Sequence, residues 1–190
     1  CDVFGSRAHS GSTELILLED GKLINVAFGD EYNEIIFKPY MTFSEDIDGD
    51  GIMEISTLRP AAGYEDASMV DTVWITVWYK WDGASGLVEV EEGYANHEDG
   101  YYFRFPAKWG KKITIDRQDH GAKDRWTGLS FLNGNTKSPL FSIHTFSRAE
   151  GTRVKNQNEG GAAPYIEIAK SFTKVYMVHL EEESKTDSSQ

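Results

Sequence analysis

Cysteine is almost absent from the 190 residues of this chain: the single one is Cys1. No intrachain disulfide can form, and a zinc site built on cysteine clusters is excluded. Cations are scarce as well, with 19 Lys and Arg against 31 Asp and Glu, for a net charge of −12. Binding to phosphates needs clustered cations that displace counterions, so nucleic acid is not an expected partner. Long apolar runs are missing too. The densest, Val73 to Trp81, carries Thr76 and Lys80 inside it, and a membrane-spanning helix needs ~20 apolar residues. No transmembrane segment is expected.

What is present suffices for a folded body. Hydrophobic residues make up 39 % and aromatics 13 %, enough for a core and too many for a disordered chain. Strand patterns dominate the first half. Thr13 to Leu18 and Lys22 to Phe28 flank Glu19-Asp20-Gly21, whose Asp-Gly suits a tight hairpin turn. Short strands are expected over Glu34 to Phe37, Tyr40 to Ser44 and Ile52 to Leu58, with a loop over Ala61 to Ser68. Val73 to Trp81 alternates with period two. Val73, Ile75, Val77, Tyr79 and Trp81 share one face and Trp74, Thr76, Trp78 and Lys80 the other, so a strand covered on both faces is predicted. Leu87 to Glu91 is its hairpin partner.

Composition shifts over Gly93 to Gly100, which places a boundary after Glu92. Beyond it, strands are expected at Tyr101 to Phe105, Lys111 to Asp116, Trp126 to Leu132, Leu140 to Phe146, Tyr165 to Ala169 and Phe172 to Leu180. One helix is expected, over Arg148 to Asn158, weakened by Gly151 and ended by Gly160-Gly161. The predicted fold is mainly β, α+β overall: a β-rich unit over 1–92 and a smaller α+β unit over 93–190.

The segment Asp46-Ile47-Asp48-Gly49-Asp50-Gly51-Ile52-Met53-Glu54 places carboxylates at loop positions 1, 3, 5 and 9, with glycine at position 6. Calcium takes roughly six to eight oxygens, and alternate spacing in a tightly wound loop turns several of them inward. Gly51 permits the sharp turn, Ile52 would offer its carbonyl, and Glu54 would close the shell. Carboxylates this dense repel one another unless a cation neutralises them, which favours a metal over a merely solvated acidic turn. An EF-hand is not expected: position 12 is Thr57, and the flanking segments are strand-like.

The motif D-x-D-G-D-G-x-x-E between two strands resembles the calcium loop of FG-GAP and VCBS-type repeats, the unit of some β-propeller blades. The resemblance implies calcium ligands at Asp46, Asp48, Asp50, Ile52 through its carbonyl, and Glu54. It also implies a blade-like antiparallel unit, although a propeller needs several copies and one is present. More loosely, the acidic loop, Trp78 to Gly83 and Tyr101 to Pro106 together resemble uncharacterised Gram-positive bacterial lipoproteins and surface proteins. That likeness implies envelope-attached or secreted binding, with a cell-envelope glycan or protein as partner. Mature bacterial lipoproteins begin with the cysteine that carries the lipid, which makes Cys1 a candidate attachment residue, unless it stands first by chance. A calcium site of millimolar affinity loads outside cells, so an extracellular or envelope location is expected.

No G-x-S-x-G, S-x-x-K or H-E-x-x-H spacing occurs. His9, His97, His120, His144 and His179 are scattered over loops and strands, and Asn133-Gly134-Asn135 is not a lysine-bearing phosphate loop. The sharper enzymatic alternative is a glycan-active hydrolase or carbohydrate-binding module that uses Glu89, Glu91 and Glu92 with tryptophan platforms. Against it, Glu89 and Glu91 alternate with Val88 and Val90 as a solvated strand face does. Trp74 and Trp78 are expected in the core. Trp109 and Trp126, nearer turns, are the candidate ligand-contact residues. The expected function is a noncatalytic, calcium-stabilised binding or structural module.

Overall fold

A computed structural model describes residues 2–4, 10–27, 29–84, 86–118, 126–158 and 165–180. The fold is mainly β, with four antiparallel sheets among the described residues. The chain divides into two compact units, one formed by Cys1–Pro60 with Trp74–Gly110, the other by Ala61–Val73 with Lys111–Gln190.

In the first unit, β1 (Asp2–Phe4) and β2 (Gly11–Thr13) are followed by a hairpin of β3 (Ile16–Glu19) and β4 (Lys22–Asn25). Its turn is the expected one: Asp20 and Gly21 both have positive φ, 48° and 76°, the geometry that matches the twist of paired strands. Next come one turn of helix, α1 (Asn33–Ile36), and β5 (Phe37–Lys38), which joins β1 and β2 in a three-stranded sheet. The strand expected over Glu34 to Phe37 is therefore mostly helical. Four residues are too few for periodicity to decide, and the preceding turn, with Tyr32 N–H donating to Gly29 O at 3.1 Å, leads the chain into a helix.

Tyr40 to Ser44 is not a strand either. Side chains satisfy its backbone instead: Lys38 Nζ donates to Thr42 O at 2.8 Å, Ser56 Oγ to Phe43 O at 2.9 Å, and Ser44 N–H donates to Asp2 Oδ2 at 2.8 Å. With those groups engaged, no ladder is needed.

The main sheet of this unit runs β6 (Ile55–Pro60), β7 (Trp74–Trp81), β8 (Leu87–Asn96), β9 (Tyr101–Arg104) in meander order. In the middle of β7, Ile75 and Val77 on one face and Thr76 and Trp78 on the other are all buried, as the alternation predicts. A bulge falls in the β7–β8 pairing: Trp78 faces Glu91 and Tyr79 faces Glu89, leaving Val90 as the extra residue. Gly93 to Asn96, in the stretch read from composition as a boundary, continues β8 and pairs with β9.

The second unit is a five-stranded sheet of β10 (Ile113–Gln118), β11 (Trp126–Asn133), β12 (Pro139–Ser147), β13 (Ile166–Lys170) and β14 (Lys174–Leu180). Their order is β10-β11-β12-β14-β13. One face carries Ile115, Phe131, Phe141, Leu129 and Ile143 in cross-strand register, with the Phe131 and Phe141 rings stacked at 4.7 Å. The other carries Phe146, Val175 and Met177 beneath Val154 of the helix α2 (Arg148–Asn158). Gly151 weakens that helix in isolation but lets it approach the sheet. A Cβ there would stand 3.0 Å from Val175 Cβ. Ala61–Val73 closes on itself through Ala61 N–H to Val73 O at 2.8 Å, and Tyr64 Oη donates to Ile115 O at 3.0 Å. Gly160 and Gly161 lie outside the described residues.

Candidate metal centre

The acidic loop is closed at its base by the bridge Glu45–Glu54, which leads directly into β6. Its closure is made twice, by Glu45 N–H to Glu54 O at 3.1 Å and Glu54 N–H to Glu45 O at 2.9 Å. Within it, the carboxylates first satisfy the loop's own backbone. Asp46 accepts from Gly49 N–H at 2.7 Å on Oδ1 and from Gly51 N–H at 2.9 Å on Oδ2. Asp48 Oδ1 accepts from Asp50 N–H at 3.1 Å, Asp50 Oδ1 from Ile52 N–H at 2.9 Å, and Glu54 Oε2 from Ile47 N–H at 2.9 Å. Gly49 and Gly51 have φ of 79° and 86°, a region glycine enters without the Cβ penalty. The winding brings Asp46, Asp48 and Asp50 together, each offering an oxygen within 4.8 Å of the others. That group could hold a metal ion.

The second oxygens of three carboxylates converge on one lysine. Lys80 Nζ donates to Asp48 Oδ2 at 2.9 Å and to Asp50 Oδ2, and stands 3.1 Å from Glu54 Oε1. Glu54 is fully buried, and this oxygen faces the ammonium at ion-pair distance without hydrogen-bond alignment. The Lys80 hydrogen bond, and after it the Ile52 N–H, lowers the Asp50 pKa below the ordinary carboxylate value. Asp50 and then Asp48 in turn raise Lys80 well above the usual lysine value. Lys80 was missed by motif reasoning because it lies 26 residues after Glu54 (80 − 54). Strand pairing brings it back: Ile55 faces Tyr79, so the register carried one residue further sets Glu54 opposite Lys80.

The other members of the motif follow the loop. Ile52 gives its N–H to Asp50, and its side chain is exposed. Thr57 is buried and donates from Oγ1 to Phe37 O at 3.0 Å, so it belongs to the packing of β6 and an EF-hand shell is not formed.

The glutamates of the hydrolase alternative line a groove of about 420 Å³ together with Arg104, Phe105 and Pro106. Two of the three are committed to guanidinium partners: Glu91 to Arg104 at 2.5 Å, and Glu92 to Arg59 at 2.5 and 2.9 Å. Beside them Trp78 Nε1 donates to Tyr102 Oη at 3.1 Å. Burial, and next the Glu91 charge, push the Tyr102 hydroxyl well above the ordinary tyrosine value.

Trp109 is half-buried against Phe103 and Phe105, with ring centroids 6.1 and 6.2 Å away. Trp126 opens β11, and its side chain lies outside the described residues, as do Cys1, His9 and His120. His97 is exposed. His144 is buried, with Nε2 2.9 Å from Ser142 Oγ and Nδ1 3.0 Å from Tyr165 Oη, and His179 packs against the same tyrosine ring at 5.3 Å. Sequence spacing gave no hint of this polar cluster, in which the pairing of β12 with β14 sets Ser142 opposite His179 and Tyr165 enters from just before β13.

Compared with known proteins, the chain matches no family model, and no curated protein or solved structure matches it.

Proposed function

We propose that the chain is a noncatalytic, calcium-stabilised binding or structural module of a bacterial envelope or secreted protein, its acidic loop being of the FG-GAP and VCBS kind. The observation that carries this reading is the grouping of Asp46, Asp48 and Asp50 within 4.8 Å, two of which, with the buried Glu54, also face one cationic position at Lys80. The residues fit a hard divalent ion. Every donor is an oxygen, and three of the four carboxylates divide their atoms, one for the loop and one for the cation. Calcium, when bound, would neutralise the carboxylates and fix the entry to β6. The chain's own residues supply the rest: the two glycines allow the winding, and Asp46 ties it to the backbone.

A structural rather than catalytic role follows from the commitment of these side chains to the loop. The wider proposal places the module outside the cell, where calcium is abundant. Its partner would be an envelope glycan or protein met through aromatic side chains such as Trp109 and Trp126.

Calorimetric titration of calcium into chelator-treated protein, with thermal melts in parallel, tests the reading. Heat of binding and a raised melting temperature, both lost in Asp48→Ala, are expected. Absence of both at millimolar calcium overturns it.

A further inference from the structure

We infer that Lys80 is the resident cation of the acidic loop, and that a divalent ion enters by displacing its ammonium, so that this lysine sets the affinity of the site. The inference rests on the calcium reading above and names how that site is controlled.

The ammonium has three donors and faces three carboxylates, those of Asp48, Asp50 and Glu54. These are three of the four acids available to a metal. Two cations sharing the same oxygens would stand within a few ångströms of each other, where like charges repel strongly in a partly buried site. Exchange is therefore required.

Asp46 is differently employed. Both its oxygens accept backbone N–H groups, from Gly49 and Gly51, and it shapes the loop whichever cation is present. The lysine is also well placed to be a permanent occupant. It belongs to β7, an inner strand held between β6 and β8, and its side chain is only 17 % exposed. The loop is thus kept wound without metal, and a metal must break three ion pairs to enter. Glutamine at position 80 would keep a polar, hydrogen-bonding side chain, one atom shorter, and remove the charge.

Calcium is titrated calorimetrically into chelator-treated wild-type and Lys80→Gln protein, with thermal melts of both. In the wild type alone, acetylation of Lys80 by acetic anhydride is followed by mass spectrometry with and without calcium. Without metal, Lys80→Gln should melt below the wild type. With metal, it should bind at least about tenfold more tightly, since no ion pairs are broken, and wild-type Lys80 should acetylate faster once calcium is added.

Equal affinities, or a Lys80 reactivity that calcium leaves unchanged, overturn the inference and leave the calcium reading standing. Binding by Lys80→Gln with none by the wild type means that Lys80 excludes calcium instead of yielding to it, which overturns both the displacement and calcium loading of the native chain. Binding by neither overturns both. The acetylation arm needs no variant, so a poorly folding Lys80→Gln does not remove the test.

Discussion

Lys38 and Asp2 form a buried ion pair across the three-stranded sheet of the first unit, the Lys38 ammonium being 0 % exposed and 2.6 Å from Asp2 Oδ1. Asp2 also accepts from Thr13 Oγ1 at 2.6 Å, Ser44 N–H at 2.8 Å and Ser44 Oγ at 2.9 Å. Burial alone would raise its pKa; Lys38 and the Ser44 N–H outweigh it and hold Asp2 far below the ordinary carboxylate value. Lys38 is itself lowered, because its burial exceeds the attraction of Asp2. Asp2, with four donors on one carboxylate, is the firmly charged partner.

Acid sensitivity follows from the direction of that shift. Folding depresses the Asp2 pKa, so its stabilisation is complete above the unfolded value of 3.8 and is lost as pH falls below it toward the folded value. Asp2→Ala strands a buried ammonium and should cost about 3 kcal/mol at neutral pH. Urea denaturation across pH checks both: the variant should be less stable, with a smaller loss on acidification than the wild type.

Loop winding should depend on Gly51 in a residue-specific way. Nothing stands within 4 Å of a Cβ built there, so the cost of substitution is conformational and comes from its φ of 86°. Gly51→Ala should lose about 1–2 kcal/mol, and Gly51→Asn less, because asparagine tolerates the left-handed region. Urea midpoints of the two variants decide it, and equal losses would point to a contact instead of strain.

Gly93 presents the opposite case. A Cβ would lie 2.4 Å from Tyr102 Cζ and 2.7 Å from Phe103 O, so Gly93→Ala must push the tyrosine off the strand and away from Trp78. A loss of about 1–3 kcal/mol is expected, with a change in tryptophan fluorescence. Adding Tyr102→Ala should make the double variant more stable than the sum of the singles, measured as a double-mutant cycle.

Arg59 and Glu92 should behave as a buried pair. The glutamate side chain is 7 % exposed and the arginine 22 %. Arg59→Met leaves the carboxylate unpaired and should cost about 3 kcal/mol, whereas replacing both residues by Met should cost far less. Equal losses for single and double variants in chemical denaturation would show that packing of the arginine stem, not charge, is what the pair provides.

Much of this architecture was legible in the residues themselves. The Asp20-Gly21 turn, the two-sided burial of Ile75 to Trp78 and the helix at Arg148 follow from turn chemistry, period two and composition, all of which are local. The misread segments are short: Glu34 to Phe37 follows the turn that Tyr32 N–H makes with Gly29 O, and Tyr40 to Ser44 is held by the distant Asp2 and Ser56. The acidic loop was visible as a motif because its ligands are consecutive. Lys80 and the Ser142, His144, Tyr165 and His179 cluster were not, since only strand register brings those residues together.

The segment Ala61–Val73 leaves the main sheet of the first unit between β6 and β7 and belongs to the second. The covalent chain therefore passes between the units three times, at Pro60–Ala61, Val73–Trp74 and Gly110–Lys111. Neither unit is a continuous stretch of polypeptide. A fragment cut at residue 110 would remove from the second unit the Tyr64 anchor on Ile115 O and the Ala62 carbonyl that accepts from Lys137 at 3.0 Å. Ribosomal synthesis meets the same constraint: the second unit has its first 13 residues in hand (73 − 61 + 1) while three of the four strands β6 to β9 are still unmade, so it must hold them idle until the rest emerges.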